Sequence, residues 1–369
     1  MENMAKKKAG SDYDSLPAQQ RKNVCFRDDD YNCQKTINQV INRFEGAKFR
    51  STKLAGYFKH LMTLDGSSLA FCSEMESRAS KLYQCASLLT VRQYLDTGEI
   101  EQSAIRCRQH LLCPGCAIIR GSRTMTKIID KVQNNGLHQY KPYLLTVTVK
   151  DDQDLDRAFK NLTKNWSRLL DQRKGRNGYG SNPLQALVGG VATIEIIRGK
   201  NSGLWHPHLH ALVFADRNLE VVQDYSGRYR WPALSEAWLN VTGDSKIIEC
   251  HPIKGISGAE IGPSEAFESI AGTGRAILPD GFINAVCEVS KYALKLSDLS
   301  DRDVFEVWQL VKGRRLVRSF GLMRGGLSDF EDDIIPDSDT IRRYTEWLYQ
   351  WTKSGYSLRK AQISPFPTK

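Results

Sequence analysis

The stretch Leu204-Trp205-His206-Pro207-His208-Leu209-His210-Ala211-Leu212-Val213-Phe214 constrains this chain more than any other. It holds three of the seven histidines in 369 residues. The surrounding Leu209, Leu212, Val213 and Phe214 read as a buried strand. Side chains alternate along a strand, so His206, His208 and His210 leave one face. Two imidazoles spaced two residues apart on a strand make a rigid clamp for a metal ion. A single histidine there reads as a hydrogen-bonded core residue; three in alternation read as ligands. The preceding run from Ala186 to Ile197 is apolar and β-branched, and Arg198 to Gly203 is a polar turn. Folding the two strands about Asn201-Ser202 sets Glu195 opposite His208, to within one pair, with cross-strand neighbours about 4.5–5.5 Å apart. Glu195, His208 and His210 can then share one ion and leave positions for water or substrate. Taken alone, Glu195 reads equally well as a solvent-facing strand glutamate. The donor set suits Mn²⁺, Mg²⁺ or another first-row divalent ion.

The chain upstream is organised differently. Residues 1–50 are polar and charged and are expected to form a disordered or loosely helical arm. Residues 51–135 read as a helical region, with Phe58, Leu61 and Met62 on one helix and Leu82, Ala86, Leu89 and Leu95 on a second. Within it lies Arg106-Cys107-Arg108-Gln109-His110-Leu111-Leu112-Cys113-Pro114-Gly115-Cys116. Cys113-x-x-Cys116 has the spacing of a zinc knuckle or of a redox pair. Cys107 offers a third zinc ligand, and the fourth is His110 or Cys85. The chain has nine cysteines and no apolar signal core at its start. Reduced thiols and metal ligands are therefore expected, in the cytoplasm, rather than disulfides. No run is apolar enough to span a membrane. From Ile118 to Val132 a helix is expected whose Arg120, Arg123, Lys127 and Lys131 form a basic face, either solvated or able to lie along phosphates. The net charge of +10 agrees with a polyanionic partner.

Residues 136–300 alternate strand and helix. Lys141 to Lys150 is a strand with Thr146 and Thr148 on one side. Asp154 to Arg173 is an amphipathic helix. The histidine hairpin follows, then a short helix at Ser235–Leu239 and a strand at Lys246–Ile253. This order predicts an α+β fold with an antiparallel sheet and helices packed on one side. Residues 255–281 read as a loop insertion. From Ile283 to Leu296 a helix is expected that carries Glu288, Tyr292 and Lys295 on one face. Such a face is either solvated or holds a nucleophile (Tyr292), a base (Glu288) and a phosphate-binding cation (Lys295). Residues 301–369 form a C-terminal extension with a helix expected from Thr340 to about Thr352.

Three segments in this order resemble the replication initiators of rolling-circle plasmids of small Gram-positive type, within the HUH endonuclease superfamily. They are Leu144-Leu145-Thr146-Val147-Thr148-Val149, then Glu195 with His206-Pro207-His208-Leu209-His210, then Glu288-Val289-Ser290-Lys291-Tyr292-Ala293-Leu294-Lys295. The cluster Cys107…Cys113-Pro114-x-Cys116 with Arg120 is similar to that family's upstream cysteine motif, with Cys107 one residue further away. The resemblance implies a metal-dependent nicking and joining enzyme whose catalytic domain spans 136–300. It implies plasmid origin DNA as substrate, single-stranded at the nick, with host helicase and polymerase as partners. Tyr292 would be the nucleophile and Lys295 its phosphate or pKa partner. Glu288 would activate the water that ends the round. Arg120, Arg123, Lys127 and Lys291 would contact DNA.

Overall fold

The computed structural model describes residues 30–64, 67–96, 98, 100–173, 182–253, 268–269, 276–277, 280–290, 299–325 and 343–363, with backbone alone for 30–36, 268–269, 276–277 and 280. The chain divides into two compact units, residues 1–108 with 333–369, and residues 109–332.

In the first unit, α1 (Asp30–Leu61) packs on α2 (Leu69–Gln84). Ile37, Phe44, Ala47, Leu54, Phe58 and Leu61 recur at helical spacing and are all buried. α1 begins inside the stretch expected as a polar arm. The Ser68 side chain accepts the Phe71 N–H and starts α2. The buried ammonium of Lys48 donates to the carbonyls of Tyr83 and Cys85, where α2 ends. A four-stranded antiparallel sheet follows, in the order β11-β10-β1-β2, from β1 (Leu88–Tyr94), β2 (Ile100–Ala104), β10 (Tyr344–Thr352) and β11 (Gly355–Ile363).

Two expected helices are corrected here. The one drawn through Ala86 and Leu89 stops at Gln84, because Ala86 adopts a left-handed φ of 54° and the chain turns into β1. The one expected from Thr340 to Thr352 is instead β10 from Tyr344, paired through Val91↔Trp347 and Leu348↔Lys360. Its run of Tyr, Thr, Trp, Leu, Tyr and Trp has high strand preference once two neighbours supply partners.

The second unit is built on a five-stranded antiparallel sheet, ordered β9-β4-β5-β3-β8. Its strands are β3 (Lys141–Thr148), β4 (Leu187–Arg198), β5 (Trp205–Ala215), β8 (Ile248–Pro252) and β9 (Val317–Gly321). A short hairpin of β6 (Val222–Gln223) and β7 (Tyr229–Arg230) precedes β8. Helices α3 (Pro114–Asn134) and α6 (Asp280–Ser290) cover one sheet face through Ile128, Val132, Leu212, Phe214, Phe282, Val286 and Val289. On the opposite face lie α4 (Leu155–Gln172), which carries Trp166, α5 (Pro232–Thr242) and α7 (Asp301–Val311). The expectation of helices on one side is thereby corrected. β4 is buried along nearly its whole length, which marks a strand covered on both faces. The antiparallel α+β class holds.

Candidate active site

The β4–β5 register pairs Glu195 with His208 and Thr193 with His210. On the other side of β5, Thr146 of β3 pairs with His210 and Thr148 with His208. Partners directly opposite share a sheet face. One face therefore carries Glu195, both histidines and the threonines in adjoining rows. His208 Nε2 lies 2.5 Å from Glu195 Oε2, and His210 Nε2 lies 3.1 Å from the same oxygen. His210 is turned to this position by its other nitrogen, Nδ1, 3.1 Å from Thr146 Oγ1. Glu195 and His208 are buried, and the three donor atoms could hold one metal ion.

These residues fit a divalent cation. A carboxylate oxygen and two imidazole nitrogens converge on one point, where a cation would satisfy all three. Burial holds the His208 pKa below the usual histidine value despite the neighbouring Glu195, which keeps the imidazole in its ligating form. His206 shares the face but does another job. Its Nδ1 is 2.5 Å from Asp151 Oδ1, and Asp151 also accepts the Ser202 hydroxyl.

Helix α6 brings Glu288 to this cluster, with Oε1 4.0 Å from His210 Nε2. Its last turn is tied down twice. The Thr193 hydroxyl donates to the Val289 carbonyl at 2.5 Å. On α3, Gly121 lies so close to the Ser290 carbonyl that a Cβ would sit 3.0 Å from that oxygen. The expected Lys291, Tyr292 and Lys295 lie outside the described residues.

The cysteines of the upstream motif occupy ordered positions. Cys113 caps α3 with extended backbone and Cys116 sits in its first turn, both buried. Pro114 between them starts the helix without wasting an N–H. The Cys107 N–H points at Cys85 Sγ, 3.5 Å away. His110, the alternative fourth ligand, instead meets the Arg120 guanidinium. Cys72, Cys85, Cys107, Cys113, Cys116, Cys250 and Cys287 form no disulfide. Arg120, Arg123 and Lys127 lie half-buried along α3.

Three residues of the site escape a reading of the sequence. Thr146 and Thr193 carry a signal, since each lies at an even offset on the correct strand face. Asp151 carries none, because it follows the end of β3 and reaches His206 only in three dimensions.

No helix among the described residues is long and apolar enough to cross a membrane. No solved structure matches this chain. It is 22% identical to Protein rep of Bacillus amyloliquefaciens over 305 residues, which is 79% of this chain and 82% of that protein. It is 23% identical to a Protein rep of Bacillus sp over 230 residues, 60% of this chain and 67% of the relative. A family profile described as Replication protein matches residues 99–358, a span that takes in the histidine hairpin, the cysteine motif and α6. The chain belongs to this family of replication proteins.

Proposed function

We propose that this replication protein initiates rolling-circle replication of a plasmid, nicking and rejoining one strand of origin DNA through Tyr292. The observation that carries the reading is the meeting of Glu288 with the Glu195–His208–His210 cluster, because it sets the end of α6 beside three potential metal ligands. Tyr292 follows Glu288 by four residues in the sequence.

A divalent ion, Mn²⁺ or Mg²⁺, held by Glu195, His208 and His210 would supply Lewis-acid polarisation of the scissile phosphate. The Tyr292 phenol oxygen attacks phosphorus, the bond from phosphorus to the 3′ oxygen breaks, and that oxygen takes a proton to become the 3′-hydroxyl primer. The tyrosine stays esterified to the 5′-phosphate, so the bond can be remade without an external energy source. Lys295 steadies the phosphate or favours the phenolate. Glu288 takes a proton from the water that later hydrolyses the ester. Arg120, Arg123, Lys127 and Lys291 hold the DNA backbone. The initiator works in the cytoplasm, and host helicase and polymerase extend the primer it makes.

A structural zinc ion completes the reading. The cysteine motif is read as its ligand set, Cys107, Cys113 and Cys116 with Cys85 or His110 as the fourth, and four thiolates are a preferred tetrahedral zinc set. Cys85 is preferred over His110 as fourth ligand because it lies beside Cys107 while His110 is engaged with Arg120.

The test is cleavage of supercoiled or single-stranded origin DNA with Mn²⁺, resolved on a denaturing gel. A covalent protein–DNA adduct is expected from the wild type and absent from Tyr292→Phe. An adduct that persists in Tyr292→Phe removes Tyr292 from the role of nucleophile.

A further inference from the structure

We propose that the β6–β7 hairpin is a stacking platform for single-stranded DNA beside the scissile phosphate, with Tyr225 taking a base and Arg228 a phosphate. The choice of DNA as ligand rests on the nicking function proposed above.

The hairpin is built in advance. Asp224 closes its turn by accepting from the Ser226 N–H at 2.9 Å, the Ser226 hydroxyl at 2.6 Å and the Arg228 N–H at 3.0 Å. Gly227 supplies the left-handed residue, with φ of 80°. Arg230 Nε adds a bond to the other Asp224 oxygen at 3.1 Å. On this fixed tip Tyr225 is wholly exposed, and Val222 beside it is also exposed. A scattered exposed aromatic needs no explanation. A tyrosine held out on a rigid turn three residues from an exposed arginine is a different feature. It offers a flat π-face at little entropic cost, next to a cation.

Its place on the sheet gives it a ligand. Tyr229 packs edge-on against His251 at 5.5 Å between ring centroids, and Arg228 Nη1 lies 3.6 Å from Glu249 Oε1. Glu249 pairs with Thr146, which pairs with His210. Glu249 therefore shares the face of the histidine pair, two strand spacings away, or about 10 Å. A chain whose phosphate rests at Glu195, His208 and His210 crosses Thr146 and meets the hairpin within a few nucleotides. The bases must be unpaired, because a duplex buries the face on which a tyrosine stacks.

The test uses a fluorescein-labelled oligothymidine strand and the full-length protein without added divalent ion, read by fluorescence anisotropy. Tyr225→Ala is expected to weaken binding by about fivefold to a hundredfold, and Tyr225→Trp to restore it. Arg228→Ala is expected to reduce the slope of log affinity against log salt by about 0.7. Duplex binding should be unchanged in Tyr225→Ala. Wild-type affinity in Tyr225→Ala, or equal loss in Ala and Trp, overturns the proposal, as does a wild type that binds no single strand. The two readings separate cleanly. A wild type that forms the adduct while Tyr225→Ala binds normally defeats the platform alone. A wild type that never nicks, with Tyr225→Ala defective in binding, defeats the nicking reading alone.

Discussion

At the scale of single residues, the centre is a problem of orientation. Strand alternation made His208 and His210 legible as a pair, since a spacing of two on an apolar strand leaves few other geometries. It could not show which nitrogen each ring presents. That is set by Thr146, whose hydroxyl lies at His210 Nδ1 and leaves Nε2 toward Glu195. Removing such an outer partner of a metal ligand typically costs about 10–100-fold in metal affinity. Thr146→Val is expected to lose that much Mn²⁺ affinity by titration calorimetry, with the far-ultraviolet circular dichroism of the wild type. Unchanged Mn²⁺ affinity would make Thr146 a spacer only. The acid dependence of the same titration has a defined sign. Protons compete with the metal for the imidazoles, so affinity falls as pH falls. Because burial lowers the His208 pKa, its share of that fall is displaced below the ordinary histidine range.

At the scale of elements, the β4–β5 hairpin could be read because its signals are local: two apolar strands, a polar turn and an offset between Glu195 and His208 that the observed register confirms. The strand β10 could not be read that way. Its partner β1 lies far away in the chain, and an aromatic run without its neighbours can be drawn as helix or strand. The packing of β4 was equally hidden. Gly189 and Gly190 look like a weak point in a strand, yet they admit close neighbours. A Cβ at Gly190 would stand 2.8 Å from the Leu212 carbonyl oxygen and 2.9 Å from the Phe320 ring. Phe320 is in turn edge-on to Trp166, so it has little room to retreat. Gly190→Ala is expected to destabilise the protein by about 1–3 kcal/mol in urea denaturation, the usual range for overpacking. A loss near zero would mean that Phe320 swings aside and that the glycine is a matter of strand entropy.

At the scale of the whole molecule, the chain carries two sets of potential metal ligands that differ in hardness. The cysteine set is all sulfur and suits zinc, which it would hold closed. The hairpin set is two nitrogens and an oxygen, and under the proposed nicking reaction it would stay open for a phosphate. The difference gives a crossed test. Protein dialysed without added metal is expected to retain about one zinc per chain, since a closed four-ligand structural site releases its ion slowly and its binding energy is folding energy. Cys113→Ser should lose that zinc and unfold at a lower temperature. Glu195→Gln should keep both the zinc and the unfolding temperature, and lose the response to Mn²⁺. Elemental analysis and thermal melts read the two outcomes independently. Zinc lost in Glu195→Gln but kept in Cys113→Ser would place the tightly held ion at the histidine hairpin. Cys113 and Cys116 would then be packing residues of the α3 N-terminus, and the ion proposed for catalysis would be the one held most tightly.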